Sequence, residues 1–179
     1  LCAGNRWRPT YKAETDRYTL TRYHFITHWQ VHAPLQQVWD AIYLSKQWPE
    51  WWKGVLSVQE IVPGDADGIG SIRIYKLRSP MYYTLSFNLL LTQRKELRQL
   101  GGDVSGELTG LGEWLFEYNN GVTEVKCIWN VETTLWWMNM FAFMLRPLFK
   151  YNHSTVMNWG AESLAKKLFN TNDVLGKRM

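Results

Sequence analysis

The feature that most constrains the fold is the order of two periodicities: strand-like alternation comes first and one long helical segment comes last. The helical signal runs from Leu135 to Phe169. In its second half, apolar and small residues recur every three or four positions, which is helical spacing. Pro147 fits the first helical position, where proline is well tolerated. The predicted inner stripe contains Leu148, Asn152, Val156, Trp159, Gly160, Ser163, Leu164 and Leu168.

Upstream of this helix, apolar residues alternate with a period of two, which indicates strands. The first strand is Tyr23 to His32, and two short helices follow it, one after Pro34 and one from Lys46 to Lys53. Six further strands are predicted at 55–62, 69–78, 82–94, 97–108, 111–118 and 122–133. We expect an α+β fold in which a curved antiparallel sheet of about seven strands wraps round the terminal helix.

Length and composition indicate one globular domain. The chain has 179 residues, of which 46% are hydrophobic and 20% are charged. We place a loosely held arm at residues 1–20, the domain at 21–170 and a tail at 171–179. The eleven tryptophans indicate either a large core or a wide apolar cavity with polar groups in its wall.

Charge and cysteine usage exclude several classes of function. The net charge is +4, and the basic residues are scattered, so we expect no nucleic acid partner. Cys2 and Cys127 form neither a metal-ligand spacing nor a disulfide framework. The apolar run at 135–145 is far shorter than the roughly 20 residues that span a bilayer. We therefore expect a cytoplasmic protein without a cofactor.

Three histidines in the first strand are spaced four residues apart, at His24, His28 and His32. On a helix this spacing would bring them together, but on a strand it separates neighbours by roughly 13 Å. That distance is too long for two of them to share one metal ion. They also alternate with the apolar face, so we expect solvent-facing imidazoles and no metal site.

The terminal helix carries the first candidate site residues. Asn152 lies on its inner stripe, where a buried amide needs either a strand backbone or water as a partner, or a ligand group. His153 is one position further round, at the edge of that face, and is a candidate acid or base. Gly160 indicates either close helix–sheet packing or room for a ligand.

The strands add polar candidates. The alternation of the strand at 69–78 is ambiguous, so Arg73 either points outward as a solvated charge, which we favour, or inward, where it would hold a carboxylate or an enolate. Tyr83 and Tyr118 are predicted to point inward, where their hydroxyls orient a ligand, act as acids or serve the core.

Two aromatic segments have open alternatives. Trp48, Trp51 and Trp52 either anchor the short helices in the core or form a lid over a cavity. The segment Trp136 to Met144 has more apolar surface than a linker needs. It is either buried, paired with a second subunit as a homodimer, a gate over the cavity, or a transient membrane contact.

Several short motifs, in order, resemble one superfamily. They are Ala33-Pro34, Val38-Trp39, Trp48-Pro49-Glu50-Trp51-Trp52, Gly64, Gly70, Gly112-Glu113-Trp114, Thr123-Glu124-Val125 and Trp129-Asn130-Val131. From about Arg22 to Phe169 the chain resembles the START-like, or SRPBCC, superfamily, which has the helix-grip fold of the birch pollen allergen. Within it, the chain looks most like the polyketide cyclase/dehydrase group. The apolar insert at 135–145 departs from the shorter linker of the superfamily.

The resemblance implies an apolar cavity between the sheet and the terminal helix. We therefore predict a protein that binds or carries a hydrophobic small molecule, such as a lipid, an isoprenoid or a polyketide. The predicted lining residues are Trp29, Tyr83, Phe87, Trp114, Phe116, Trp129, Asn152 and Val156. The alternative is a cyclase or dehydrase acting in the same cavity, with Tyr83, Tyr118, His153 or Arg73 in catalytic roles. A third hypothesis is an interaction module that uses the Trp136 to Met144 segment.

Overall fold

The computed structural model describes residues 22–80, 83–135, 140 and 142–176, and the side chains of the last range at 147–169. The described residues form seven strands and three α-helices. The helices are α1 (Leu35–Tyr43), α2 (Trp48–Trp51) and α3 (Ala142–Gly176), with a 3-10 turn at Ser45–Gln47 between the first two. The strands are β1 (Arg22–Val31), β2 (Val55–Val62), β3 (Ile72–Arg78), β4 (Thr84–Lys95), β5 (Gln99–Gly106), β6 (Leu108–Asn119) and β7 (Val122–Thr133).

All seven strands form one antiparallel sheet in the order β1-β7-β6-β5-β4-β3-β2. The helical segment after β1 carries the chain to the opposite edge of the sheet. From β2 onward, each strand pairs with the next until β7 returns beside β1. Hairpin connections of this kind make a meander, and a helix can cover the apolar face of such a sheet. The predicted α+β architecture is therefore confirmed.

Local turn chemistry sets the register of the last hairpin. Asn120 and Gly121 both have positive φ, of 49° and 85°, which is the geometry of a two-residue type I′ turn. The turn places Asn119 opposite Val122. The alternation predicted for β7 then puts Val125, Cys127 and Val131 in the core.

The helix α3 differs from its predicted bounds at both ends. It begins at Ala142 and continues to Gly176, so Pro147 lies inside it rather than at its first position. Near a helix start, the missing N–H of proline removes only one intrahelical hydrogen bond. The apolar periodicity ends at Leu168, but the helix continues to Gly176. The added residues include asparagine and aspartate, which are poor helix formers, so local propensity gave no sign of this extension.

Some expectations lie outside the described residues. They are the N-terminal arm at 1–20, most of the Trp136 to Met144 segment, and the end of the tail after Gly176. Met140 of that segment is exposed. In the part of the chain that the structure describes, no helix is both long enough and apolar enough to cross a bilayer.

Candidate functional site

A cavity of about 200 Å³ lies between α3 and the sheet. The strands contribute aliphatic side chains to its wall, and the short helices and α3 close it from the other side. An engineered core cavity of roughly 150 Å³ admits benzene. This cavity therefore has room for a molecule, or part of one, of about one or two fused rings. The aliphatic lining residues are Ile42, Val55, Leu77, Leu85, Leu89, Leu91, Leu100, Leu108, Val131 and Val156.

Tryptophans form one end of the cavity wall. The ring centroids of Trp48 and Trp52 are 4.8 Å apart, and both rings meet Trp114 of β6 at 6.2 and 6.3 Å. The indole N–H of Trp52 donates to the backbone carbonyl of Val156 at 2.9 Å, which ties α3 to the short helices. Trp48 and Trp52 therefore serve both the core and the cavity wall.

Two predicted lining residues lie in the core instead. Trp29 is buried behind the wall and contacts Trp52 and Trp114, with centroids 5.4 and 5.3 Å away. Phe116 packs against Trp39 of α1 at 5.0 Å. Neither side chain reaches the cavity, so these two predictions are wrong. Alternation identifies the inward face of a strand. Helices pack directly on part of that face, and the cavity lies only against the remaining part.

A glycine in β6, Gly112, makes room for the aromatic floor of the cavity. Gly102 and Gly112 are opposite each other, and Gly112 is opposite Trp129 in the next strand. A Cβ atom at Gly112 would overlap the indole of Trp129. The glycine therefore lets this indole lie against the sheet, where its ring meets Phe87 at 5.5 Å in an edge-on contact. Trp129 and Phe87 both line the cavity, as predicted.

Asn152 is the polar side chain that α3 brings to the cavity wall without a partner. It is 6% exposed, and it lines the cavity between Phe149 and Val156. Neither its side-chain oxygen nor its nitrogen has a hydrogen-bond partner among the described residues. The expected hydrogen bond to a strand backbone is therefore not made there. An unpaired buried amide costs stability, so this side chain is available to a ligand.

His153 also lines the cavity but is engaged by β1. Its ring stacks on Phe25 with centroids 4.3 Å apart, and its Nε2 lies 3.2 Å from the hydroxyl of Thr27. Burial lowers its pKa to about 4. The imidazole is therefore neutral at neutral pH, and its hydrogen bond to Thr27 and its ring stacking hold it in place.

Arg73 points inward, so the favoured prediction of a solvated outward charge is wrong. It lines the cavity with a side chain that is 15% exposed. Its charge is compensated by Glu60, which is opposite it on β2 and pairs with its Nε at 3.1 Å. The guanidinium also donates to the Ser45 hydroxyl at 3.1 Å. Hydrogen bonds from Lys46 and then from Arg73 hold the pKa of Glu60 below its usual range.

Tyr75 shares that face of β3 and was not among the predicted site residues. It is buried, lines the cavity, and its hydroxyl is 2.8 Å from the Ser45 hydroxyl. Burial raises its pKa. The alternation of β3 gave no clear face, and the ion pair that neutralises Arg73 comes from another strand. No pattern in the sequence identifies Glu60 as the partner of Arg73.

The two candidate tyrosines lie in different environments. Tyr83 lines the cavity, and burial, with Glu107 nearby, raises its pKa to about 12, so it remains a protonated donor at neutral pH. Tyr118 is 48% exposed, so its predicted inward position is wrong. It is the second-to-last residue of β6, directly before the hairpin turn.

The three histidines in and directly after β1 point to solvent. His24, His28 and His32 are all exposed, and His24 contacts the side chain of Asn130. Among the described residues, no group of three or more histidine, cysteine, aspartate or glutamate side chains is placed to hold a metal ion. Gly160 packs against Trp52, whose indole a Cβ atom would overlap, which favours the close-packing explanation for that glycine.

Comparison with known proteins identifies the fold. No protein-family model and no curated protein matches the chain. A START superfamily protein from Mycobacterium smegmatis is similar, with 12% identity over 83% of this chain and 98% of that chain, and a TM-score of 0.67. The Zhui aromatase/cyclase from Streptomyces sp. R1128 shares 11% identity over 82% of this chain and 93% of that chain, with a TM-score of 0.65.

A third similar structure is larger than this chain. The di-domain ARO/CYC BexL, from the BE-7585A biosynthetic pathway, shares 15% identity over 83% of this chain, with a TM-score of 0.65. This chain covers 50% of BexL and 52% of a second di-domain ARO/CYC, StfQ. At these identities the likeness concerns the fold, and the predicted helix-grip fold is confirmed.

Proposed function

We propose that this chain, which has the START-like helix-grip fold, binds a hydrophobic small molecule in the cavity between α3 and the sheet. The observation that carries the proposal is the cavity itself, about 200 Å³ with a largely aliphatic and aromatic wall. Affinity would come from burying apolar ligand surface, at about 25 cal/mol per Å². The few polar groups in the wall would then orient the ligand.

The test is native mass spectrometry of freshly purified protein, followed by solvent extraction and by titration with naphthalene. We expect either a discrete extra mass that extracts as an apolar compound, or saturable naphthalene binding to emptied protein. Leu89→Trp fills the cavity and should abolish both signals. Leu111→Trp makes the same change at an exposed position on the outer face and should abolish neither. A bare mass with no saturable binding would refute the proposal.

The alternative is a cyclase or dehydrase reaction in the same cavity, and the inward position of Arg73 is the observation that favours it. An arginine in the wall could stabilise an enolate, as its residue type allows. The guanidinium of Arg73 is already paired with Glu60, and the imidazole of His153 is already held by Thr27 and Phe25. We therefore rank this function below binding.

Arg73→Met separates the two functions. An enzyme that converts a polyketide-like substrate would lose turnover by orders of magnitude, whereas a binding protein would retain naphthalene affinity within a few fold. His153→Ala and Tyr83→Phe extend the comparison to the other two candidates in the wall. Turnover by wild type that disappears with one of these changes would replace binding with catalysis as the function.

A further inference from the structure

We infer that the ligand of this cavity carries one neutral polar group in which a hydrogen-bond donor and an acceptor stand side by side, and that this group pairs with Asn152. The inference rests on the proposed binding function and specifies the class of ligand. Lactams, primary amides and protonated carboxylic acids belong to this class. Purely hydrocarbon ligands and ligands with a lone acceptor do not.

The first step is the state of the amide. Asn152 is 94% buried in the wall, and neither its Oδ1 nor its Nδ2 is paired within the described part of the chain. A side-chain amide presents an acceptor oxygen and two N–H donors from the same planar group. Only a partner with an adjacent donor and acceptor satisfies both sides at once, because a lone acceptor leaves the oxygen unpaired.

The second step is the state of the other polar groups in the wall. The guanidinium of Arg73 is bound to Glu60 and Ser45. Tyr75 is bound to Ser45, and His153 is within hydrogen-bond distance of Thr27. These groups already have partners in the protein. The amide of Asn152 and the hydroxyl of Ser71 have none among the described residues, and of these two only the amide presents an acceptor atom and a separate donor atom in one planar group.

The third step is charge. Two arginines line the described wall: Arg73, which Glu60 compensates at 3.1 Å, and Arg78, which is exposed at the end of β3. An ionised ligand group beside Asn152 would be buried among aliphatic and aromatic side chains without a counter-ion, which is costly. The polar group of the ligand is therefore neutral when bound.

The test uses two isomers of equal size and one hydrocarbon. The lactam 4-methylisoquinolin-1(2H)-one has an adjacent N–H and carbonyl, its N-methyl isomer has the carbonyl alone, and naphthalene has neither. Binding is measured by titration calorimetry. Wild type should bind the lactam at least about 10-fold more tightly than the N-methyl isomer, since the latter leaves buried hydrogen-bonding groups unpaired.

Variants assign the preference to one residue. Asn152→Leu should bind the two isomers with equal affinity and should bind naphthalene at least as tightly as wild type does. Asn158→Leu is the matched control, because Asn158 is exposed on the same helix, and it should keep the wild-type preference. Asn152→Ala provides a second, smaller replacement, and thermal unfolding of each variant verifies that it is folded.

The outcomes separate this inference from the function on which it rests. Equal affinity of wild type for the two isomers, with naphthalene still bound, would overturn the inference alone. A lactam preference that survives in Asn152→Leu and Asn152→Ala would also overturn it. If wild type bound none of the three probes, the proposed binding function itself would fail.

Discussion

At the scale of single residues, Asn152 has a side chain that opposes stability in the ligand-free protein. Its amide is buried and lacks a partner among the described residues, and a buried unpaired polar group typically costs about 1–3 kcal/mol. Around it the cavity wall is apolar, so an aliphatic side chain would suit the site better in the absence of a ligand. Packing therefore does not explain the asparagine, whereas the proposed pairing with a ligand does.

This argument predicts that Asn152→Leu stabilises the ligand-free protein. We expect the free energy of unfolding to rise by about 1 kcal/mol, because an unpaired amide is replaced by an apolar group of similar volume. Denaturation with urea measures the change. Asn158→Leu, at the exposed position, should stay within about 0.5 kcal/mol of wild type. A loss of stability in Asn152→Leu would show that the amide is paired in the ligand-free protein.

His153 gives the protein a dependence on pH. Burial lowers its pKa to about 4 in the folded state, from an ordinary value of 6.5, so between these values the unfolded chain binds the proton more readily. The stability that depends on the neutral imidazole is therefore complete above pH 6.5 and is lost as the pH falls toward 4.

His153→Phe should remove this dependence while it keeps an aromatic ring beside Phe25. Between pH 7.5 and 4.5, we expect wild type to lose about 1–2 kcal/mol more than the variant, after allowance for partial exposure of the ring. Urea denaturation at a series of pH values measures the difference. Parallel pH profiles of the two proteins would show that His153 is not the titrating group.

At the scale of elements, a close contact at Trp52, the residue that follows α2, helps to hold α3 against the short helices. Gly160 lies under the indole of Trp52, and the same indole donates a hydrogen bond to the carbonyl of Val156 one turn earlier. A larger residue at 160 would displace the ring and strain that hydrogen bond. This contact fixes the distance between α3 and the short helices, and with it one dimension of the cavity.

Gly160→Ala should therefore destabilise the protein, although alanine favours a helix by about 1 kcal/mol over glycine. Overpacking costs roughly 1–3 kcal/mol, so we expect a net loss of about 1 kcal/mol in the free energy of unfolding. The substitution should cost less in a Trp52→Phe background, where the smaller ring leaves room. Equal costs in the two backgrounds, measured by chemical denaturation, would show that the two residues do not interact.

At the scale of the whole molecule, ligand binding and folding are linked, since the cavity exists only when α3 covers the sheet. A ligand at 100 times its Kd stabilises the native state by about 2.7 kcal/mol. For a chain of this size, 1 kcal/mol shifts Tm by roughly 2–4 °C. Naphthalene, or the lactam probe, should therefore raise Tm by about 5–10 °C at that concentration.

Gly112→Ala should reduce this thermal shift. The added methyl group would overlap the indole of Trp129 and push it into the cavity, so the variant should show little or no increase in Tm with either probe. Gly121→Ala provides a comparison outside the cavity, because a Cβ there meets nothing and only the turn is strained. It should lower Tm without ligand but keep the shift. A full shift in Gly112→Ala would show that Trp129 does not limit the cavity.

Part of the site was predictable because alternation identifies which face of a strand turns inward. It placed Phe87, Trp114 and Trp129 toward the helix, and all three line the cavity. It did not distinguish them from Trp29 and Phe116, which point the same way but are covered by other side chains. Whether the lining residues bind a ligand stays a prediction.

The sequence by itself determined the order of elements, the antiparallel meander and the inner stripe of the terminal helix. These features follow from local periodicity and turn chemistry, which depend only on residues close together in the chain. The tertiary structure alone decided that Glu60 neutralises Arg73, that Trp52 seats against Gly160, and that Asn152 is left without a partner among the described residues. Each of these depends on the distance between segments far apart in the chain, which local patterns do not specify.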